Sequence, residues 1–168
     1  MTATAQAAPV RHTMPSPLGR ILLAASTHHL VGVWFEQDQR HLPAFAQWQT
    51  DDAHPVLERA KLQLSEYFKG QRRQFDLPVR LDSGTTFQQK VWQQLLAIEP
   101  GQTTTYADIA AALGQPSAVR AVGGAVGRNP VSIIVPCHRV IGRDGSLTGY
   151  AGGLDRKVAL LRLEGFLH

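Results

Sequence analysis

Ala118-Val119-Arg120-Ala121-Val122-Gly123-Gly124-Ala125-Val126-Gly127 has the composition of a helix, yet two adjacent glycines stand in its middle. Each interior glycine costs up to about 1 kcal/mol relative to alanine. A pair of them implies close approach to another surface. Two surfaces qualify: a neighbouring helix packed tightly against the small residues, or a DNA groove too narrow for bulky side chains. Arg120, beside the small residues, favours the second. Upstream, Tyr106 to Leu113 reads as a short helix closed by Gly114, Gln115-Pro116 as a turn, and Ser117 as the cap of the glycine-bearing helix. Two short helices joined by a tight turn form a helix-turn-helix pattern, which many helical hairpins share without binding DNA.

Downstream, Ser132 to Val135 is a short apolar run that predicts a strand, and it delivers Pro136-Cys137-His138-Arg139-Val140 at its end. Asp144-Gly145 signals a hairpin, with Leu147-Thr148-Gly149-Tyr150 as the returning strand. Asp155 to Leu163 predicts a last helix, capped by Asp155 and closing on Glu164-Gly165. Ahead of the helix-turn-helix, Thr86-Phe87-Gln88-Gln89 has the spacing of a capping box. Phe87, Val91, Trp92, Leu95 and Leu96 follow at helical spacing until Pro100-Gly101.

The first half is β-rich. Leu18 to Ala25 and Leu30 to Phe35 predict strands joined by a hairpin at Ser26-Thr27-His28-His29. Val56 to Phe68 predicts a helix that Gly70 stops, and Phe75 to Leu81 a strand that Pro78 confines to an edge. His28, His29, His41 and His54 read as scattered surface residues, so neither a metal nor a cofactor is expected. The character changes at Asp82-Ser83-Gly84, which divides the chain into a scaffold unit, residues 1–84 with 1–9 disordered, and a site-bearing unit, residues 85–168.

At 168 residues, with 43% hydrophobic and 18% charged residues, the chain is neither disordered nor fibrous. No apolar run approaches the roughly 20 residues of a membrane span, so a membrane is excluded as partner. The N-terminus lacks the pattern of a secretory signal. Cys137 is the only cysteine, which excludes a disulfide framework and suits a reducing cytoplasm. The net charge of +4 is uneven: residues 1–85 hold 9 basic and 8 acidic side chains, and residues 86–168 hold 8 and 5. Between Asp108 and Asp144 there is no acid, while Arg120, Arg128, Arg139 and Arg143 lie there. Such a segment reads either as a phosphate-facing surface or as a solvated face.

A lone cysteine is ordinarily a buried, inert thiol. Three features set Cys137 apart: it follows a strand end and a proline, it lies in the arginine segment, where positive charge lowers a thiol pKa, and His138 stands beside it as base with Glu164 as an orienting carboxylate.

Asn129-Pro130 followed by Val135-Pro136-Cys137-His138-Arg139-Val140 resembles the active-site signature of the O6-alkylguanine-DNA alkyltransferases, the methylated-DNA–protein-cysteine methyltransferases. The likeness runs through Thr105-Tyr106, Arg120-Ala121-Val122-Gly123-Gly124, Gly149-Tyr150-Ala151-Gly152-Gly153 and Leu163-Glu164-Gly165, and more loosely through Ser16-Pro17-Leu18-Gly19. It implies an α+β protein: a small ribonuclease-H-like N-terminal α/β domain and a mainly helical C-terminal domain whose winged helix-turn-helix enters the minor groove. It implies that Cys137 accepts the alkyl group, that His138 activates it through a water, and that Glu164 holds the histidine. Tyr106 would help rotate the nucleotide and donate to the base, while Arg120 would fill the vacated space. Asn129 would support the active-site turn, Tyr150 with Ala151 would wall the pocket, and the Val140 backbone would bond the flipped guanine. Ser117, Ala121, Gly123, Gly124 and Arg128 would complete the DNA face.

The implied partner is double-stranded alkylated DNA, bound by a monomer, with cooperativity along DNA left open. The implied reaction is single-turnover transfer from O6-alkylguanine, and from O4-alkylthymine, by a suicide methyltransferase. Some members hold a structural zinc through cysteines of the N-terminal domain, which Cys137 alone cannot build. Two other readings are a DNA-binding module in which Cys137 is incidental, and a cysteine hydrolase, for which no oxyanion hole is evident.

Overall fold

The computed structural model describes residues 8–168. The expectation for residues 1–9 falls mostly outside them; Ala8 and Pro9 lead straight into β1 (Val10–Met14), a strand the sequence reading did not anticipate. β1, β2 (Ile21–Ala25) and β3 (Leu30–Phe35) form an antiparallel sheet in that order. Every residue of β2 is buried, because the middle strand is covered on both faces, and it therefore reads as an unbroken apolar run rather than an alternation. Ile21, Leu23 and Ala25 join the main core with α1 (Pro55–Phe68), while Leu22 and Ala24 pack with Trp34 under Leu42, Phe45 and Trp48. α1 starts where His54 Nδ1 accepts from Val56 N at 3.1 Å and Pro55 supplies a preset φ.

Two N-terminal expectations are corrected. The strand begins at Ile21 instead of Leu18, since Ser16-Pro17-Leu18-Gly19 is a turn in which Gly19 N donates to Ser16 O. Phe75 to Leu81 is not a strand: Leu30 N donates to Pro78 O and Arg80 N to Leu30 O, leaving one parallel bridge between Leu30 and Val79. Pro78 has no N–H with which to extend that ladder.

α2 (Thr86–Leu96) opens on a capping box one residue earlier than its spacing suggested. Thr85 Oγ1 accepts from Gln88 N at 3.1 Å and Gln88 Oε1 accepts from Thr85 N at 3.0 Å. α3 (Tyr106–Ala112) and α4 (Val119–Gly127) form the helix-turn-helix, with Gly114 at φ +71° making the bend that an L side chain resists. Ser117 does not cap α4. Ala118 occupies the cap position, and its N–H donates to Gln115 O, so the turn backbone does the work. Trp92 on α2 fixes α4 from behind through an Nε1–H bond of 2.8 Å to Ala125 O.

The segment leading to Cys137 is a tight loop, not a strand. Val131 alone bridges to Val33 of the N-terminal sheet. Beyond it the side chain of Asn129 spans the loop, accepting from Val131 N at 3.0 Å and donating to Val135 O at 2.8 Å. Ile133 is held at φ +72°, a left-handed conformation that β-branched residues avoid. The expected returning strand is also absent. Val140–Ile141 (β5) pairs in parallel with Thr104–Thr105 (β4), and the bend at Asp144-Gly145 leads into a loop over residues 147–153. α5 (Leu154–Leu163) begins one residue before Asp155, with Gly153 at its cap; Asp155 sits in the first turn, where its charge complements the helix dipole.

Trp92→Phe should cost about 1–3 kcal/mol, from the lost bond to Ala125 and the lost ring volume. Urea unfolding monitored by circular dichroism checks this.

Candidate active site

The strained loop ends in a 3-10 turn, Cys137–Arg139, set deep between the two halves of the chain. Cys137 is buried at one end of a pocket of about 220 Å³. Tyr106 at the start of α3 and Gly123 and Val126 of α4 form one side. Thr148, Gly149, Tyr150 and Ala151 form the other, and Arg40 reaches the pocket from the N-terminal half. Tyr106 is half-buried and donates from its hydroxyl to Thr148 O at 3.1 Å, which ties α3 to the pocket loop. The Tyr150 hydroxyl is buried without a hydrogen-bond partner among the described residues.

His138 and Arg139 turn away from the pocket into a buried cluster around Glu164. Glu164 Oε2 accepts from Tyr67 Oη–H at 2.6 Å, from His138 Nε2 at 2.8 Å and from Arg139 Nη2 at 2.9 Å, and Oε1 accepts from Arg139 Nε at 2.8 Å. Burial disfavours the carboxylate, but the hydrogen bonds from Arg139 and His138 outweigh it and hold Glu164 far below the usual range. Glu164 is therefore ionised and His138 carries its proton on Nε2. Burial, opposed by Glu164, keeps the imidazole neutral by lowering its pKa, and Nδ1 is left buried without a partner among the described residues. The arrangement is that of a neutral histidine oriented by a carboxylate, with its basic nitrogen free.

The arginine segment is only partly a surface. Arg139 is buried, satisfied by Glu164 and by Ile98 O at 2.5 Å, and faces no phosphate. Nor does positive charge dominate the thiol. Burial raises the Cys137 pKa, and the Asn129 amide and the Lys157 ammonium only partly pull it back. Cys137 thus rests as a thiol and requires a base, whereas the sequence suggested a thiolate favoured by neighbouring arginines.

Ser117, Arg120, Ala121, Gly124 and Arg128 are all exposed and recur at intervals of three and four residues, a single stripe along α4 and its flanks. A Cβ built on Gly124 meets nothing within 4 Å, and one on Gly123 meets only Tyr106 Cδ1 at 3.9 Å, an ordinary contact. Packing within the fold does not demand these glycines, so the helix-packing explanation fails. Arg120 makes no hydrogen bond or ion pair among the described residues.

Asn129 and Val140 lie behind the pocket rather than in it. Asn129 braces the loop, and Val140 O accepts from Lys157 Nζ at 2.5 Å. Lys157, fully buried, also donates to Thr148 O and Gly149 O at 3.2 Å, pinning the pocket loop to β5. Burial lowers its pKa to about 8. Sequence reading passed over Lys157, Tyr67 and Arg40. The first two had a signal: Lys157, Leu160, Leu161 and Glu164 share one helical face, and Tyr67 continues the stripe of Leu57, Ala60 and Leu64. Arg40 sits in an irregular loop and had none.

Fold and site together define a protein in which a buried thiol opens into a pocket lined by a helix-turn-helix. The chain belongs to the 6-O-methylguanine DNA methyltransferase family, whose ribonuclease-like domain matches residues 10–81 and whose DNA-binding domain matches residues 86–166. It is 44% identical over 151 residues to the methylated-DNA–protein-cysteine methyltransferase of Haemophilus influenzae, covering 89% of this chain and 83% of that one. The constitutive enzyme of that name from Bacillus subtilis is 45% identical over 159 residues, covering 90% and 93%. Among solved structures, Mycobacterium tuberculosis OGT in complex with DNA superposes with a TM-score of 0.84 at 45% identity, covering 92% of this chain and 91% of that one.

Glu164→Gln should destabilise the fold by about 3–5 kcal/mol, because Arg139 then stays buried without its counter-charge. A carboxyl with a depressed folded pKa contributes stability that is present above its unfolded value, near 4.3, and is lost as pH falls further. Urea titrations should therefore find a shallower acid-side loss of stability, below about pH 4.5, in the variant than in the parent.

Proposed function

We propose that this protein is a methylated-DNA–protein-cysteine methyltransferase that repairs DNA by direct reversal, taking the alkyl group of O6-alkylguanine, and of O4-alkylthymine, onto Cys137 once. The observation that carries this reading is the position of Cys137: a thiol lining a pocket walled by Tyr106 and Tyr150 and by Gly123 and Val126 of α4, the helix whose other face exposes small residues and Arg120. Residues 1–84 serve as scaffold and residues 85–168 as the DNA-binding and acceptor unit. The protein acts as a cytoplasmic monomer on double-stranded DNA.

The target oxygen lies inside the duplex, so the nucleotide must be extruded, at a cost of a few kcal/mol in stacking. Ser117, Ala121, Gly123, Gly124 and Arg128 let α4 approach the minor groove, and Arg120, without a partner in the fold, enters the stack in place of the extruded base. The base occupies the pocket between Tyr106 and the loop of Tyr150 and Ala151, with the Val140 backbone behind it. Asn129 keeps the cysteine turn rigid. His138 removes the thiol proton from Cys137 through a water, and Glu164 stabilises the imidazolium that forms. The sulfur then bonds to the alkyl carbon while the carbon–oxygen bond breaks and its electron pair stays on the guanine. A hydrogen bond from the Tyr106 hydroxyl assists that departure, and as His138 gives up through solvent the proton it took from sulfur, guanine gains one, so the protons balance. The product thioether has no carbonyl for water to attack, and no second cysteine exists to receive the group.

After incubation with duplex containing O6-methylguanine, intact-mass spectrometry should find one added methyl, mapped to Cys137 and saturating at one per protein. Cys137→Ser should take up none yet bind the duplex, whereas continued turnover would make the protein a hydrolase and tight binding without transfer a recognition module. Arg120→Ala should weaken binding in a gel-shift titration and slow repair by at least about tenfold, the loss of one well-placed contact.

A further inference from the structure

The Glu164 cluster contains one member that the transfer reaction leaves unexplained. Tyr67 is on α1, in the N-terminal half, and its hydroxyl reaches across 97 positions of sequence to donate to Glu164 Oε2, the oxygen that also accepts from His138. The bond, at 2.6 Å, is the shortest the carboxylate makes, and Tyr67 is 2% exposed. Its ring is fixed edge-on against Phe68 and tilted against Phe75, with centroids 5.4 and 5.3 Å away, so the hydroxyl has little freedom to leave. A phenol serving only to fill space would not need a charge-assisted bond to a carboxylate that already has three donors from the cysteine turn.

We infer that Tyr67 is a positioning residue for alkyl transfer, through which the N-terminal half shares Glu164 Oε2 with the His138 Nε2 proton and tempers the carboxylate's pull on it. The inference rests on the proposed transfer to Cys137. The phenol acts by sharing Oε2: it takes up part of the carboxylate's negative charge, which otherwise binds the imidazole proton more strongly. The groups that face this pair are Arg139 and Cys137 from the cysteine turn, Lys157 from α5, Tyr150 from the pocket loop, and Arg73, whose Nη2 donates to Glu164 O at 3.0 Å. None of the others competes with His138 for Oε2 except Arg139, which bonds both carboxylate oxygens.

Removing the hydroxyl strengthens the hold of Glu164 on protonated His138. The histidine then titrates at higher pH, and the acid limb of the transfer rate, where the base is lost, moves up with it. Single-turnover methyl transfer to the full chain, measured against pH for the parent and Tyr67→Phe, should find that limb about one pH unit higher in the variant. NMR titration of the His138 ring without DNA should find the same shift. It reads the cluster even if the protein transfers nothing, so failure of the parent to take up methyl overturns the functional reading alone. Should Tyr67→Phe not fold, fluorotyrosine placed at position 67 keeps the shape and makes the phenol a stronger donor, and the limb and the ring titration should move down. Coincidence of limb and ring titration with the parent, in whichever variant folds, would overturn the role, whatever the change in rate or melting temperature.

Discussion

The carboxylate of Glu164 is the point at which the structure is tied together. It receives Tyr67 from the N-terminal half, His138 and Arg139 from the cysteine turn, and it stands just past the end of α5. Each of these groups is buried, and each would be costly to bury alone. The ionised carboxylate makes them mutually acceptable and fixes the proton of His138 on Nε2, while burial, against the pull of that carboxylate, keeps the ring neutral with Nδ1 as its basic atom. Stability and chemistry therefore rest on one side chain. A cluster so densely bonded leaves the imidazole almost no rotational choice.

The pocket depends on a second set of restraints. Asn129 braces the loop that carries Ile133 in its strained conformation, the parallel bridge between Val33 and Val131 anchors that loop to the N-terminal sheet, and Lys157 pins the opposite wall through three carbonyls. Tyr106 joins the walls by bonding to Thr148 O, which Lys157 also holds. Backbone strain of this kind persists only where its surroundings over-determine it. Here the surroundings are the sheet on one side and α5 on the other, which gives the N-terminal half a part in the site beyond that of a passive support.

On the outer side, α4 presents small residues and arginines to solvent, and its glycines are not used by internal packing. A helix-interior glycine that nothing in the fold requires is a cost with no internal return. The helix lies within the part of the chain that matches the family's DNA-binding domain, and Trp92 behind it keeps the helix fixed through Ala125.

Several features were legible in the residues themselves. The helix-turn-helix was evident from Gly114 and apolar spacing, the small-residue stripe of α4 from its composition, and the reactive turn from Pro136-Cys137-His138. These are local signals, written in turn chemistry and helical period. The errors are local too, but their causes are not. Ser132 to Val135 has strand composition, yet Asn129 folds it into a loop; Leu147 to Tyr150 follows a hairpin signal, yet β5 takes β4 as partner and leaves it single. Ser117 had capping chemistry that the turn backbone made redundant. Sequence also assigned Arg139 to the surface and a thiolate to Cys137, because charge can be counted along a chain while burial cannot. The residues by themselves determined where the helices form and that a single thiol lies in the turn after Pro136. Only the tertiary structure decided that Glu164 gathers Tyr67, His138 and Arg139, and that Cys137 rests protonated, since those outcomes depend on desolvation and on partners brought together from distant parts of the chain.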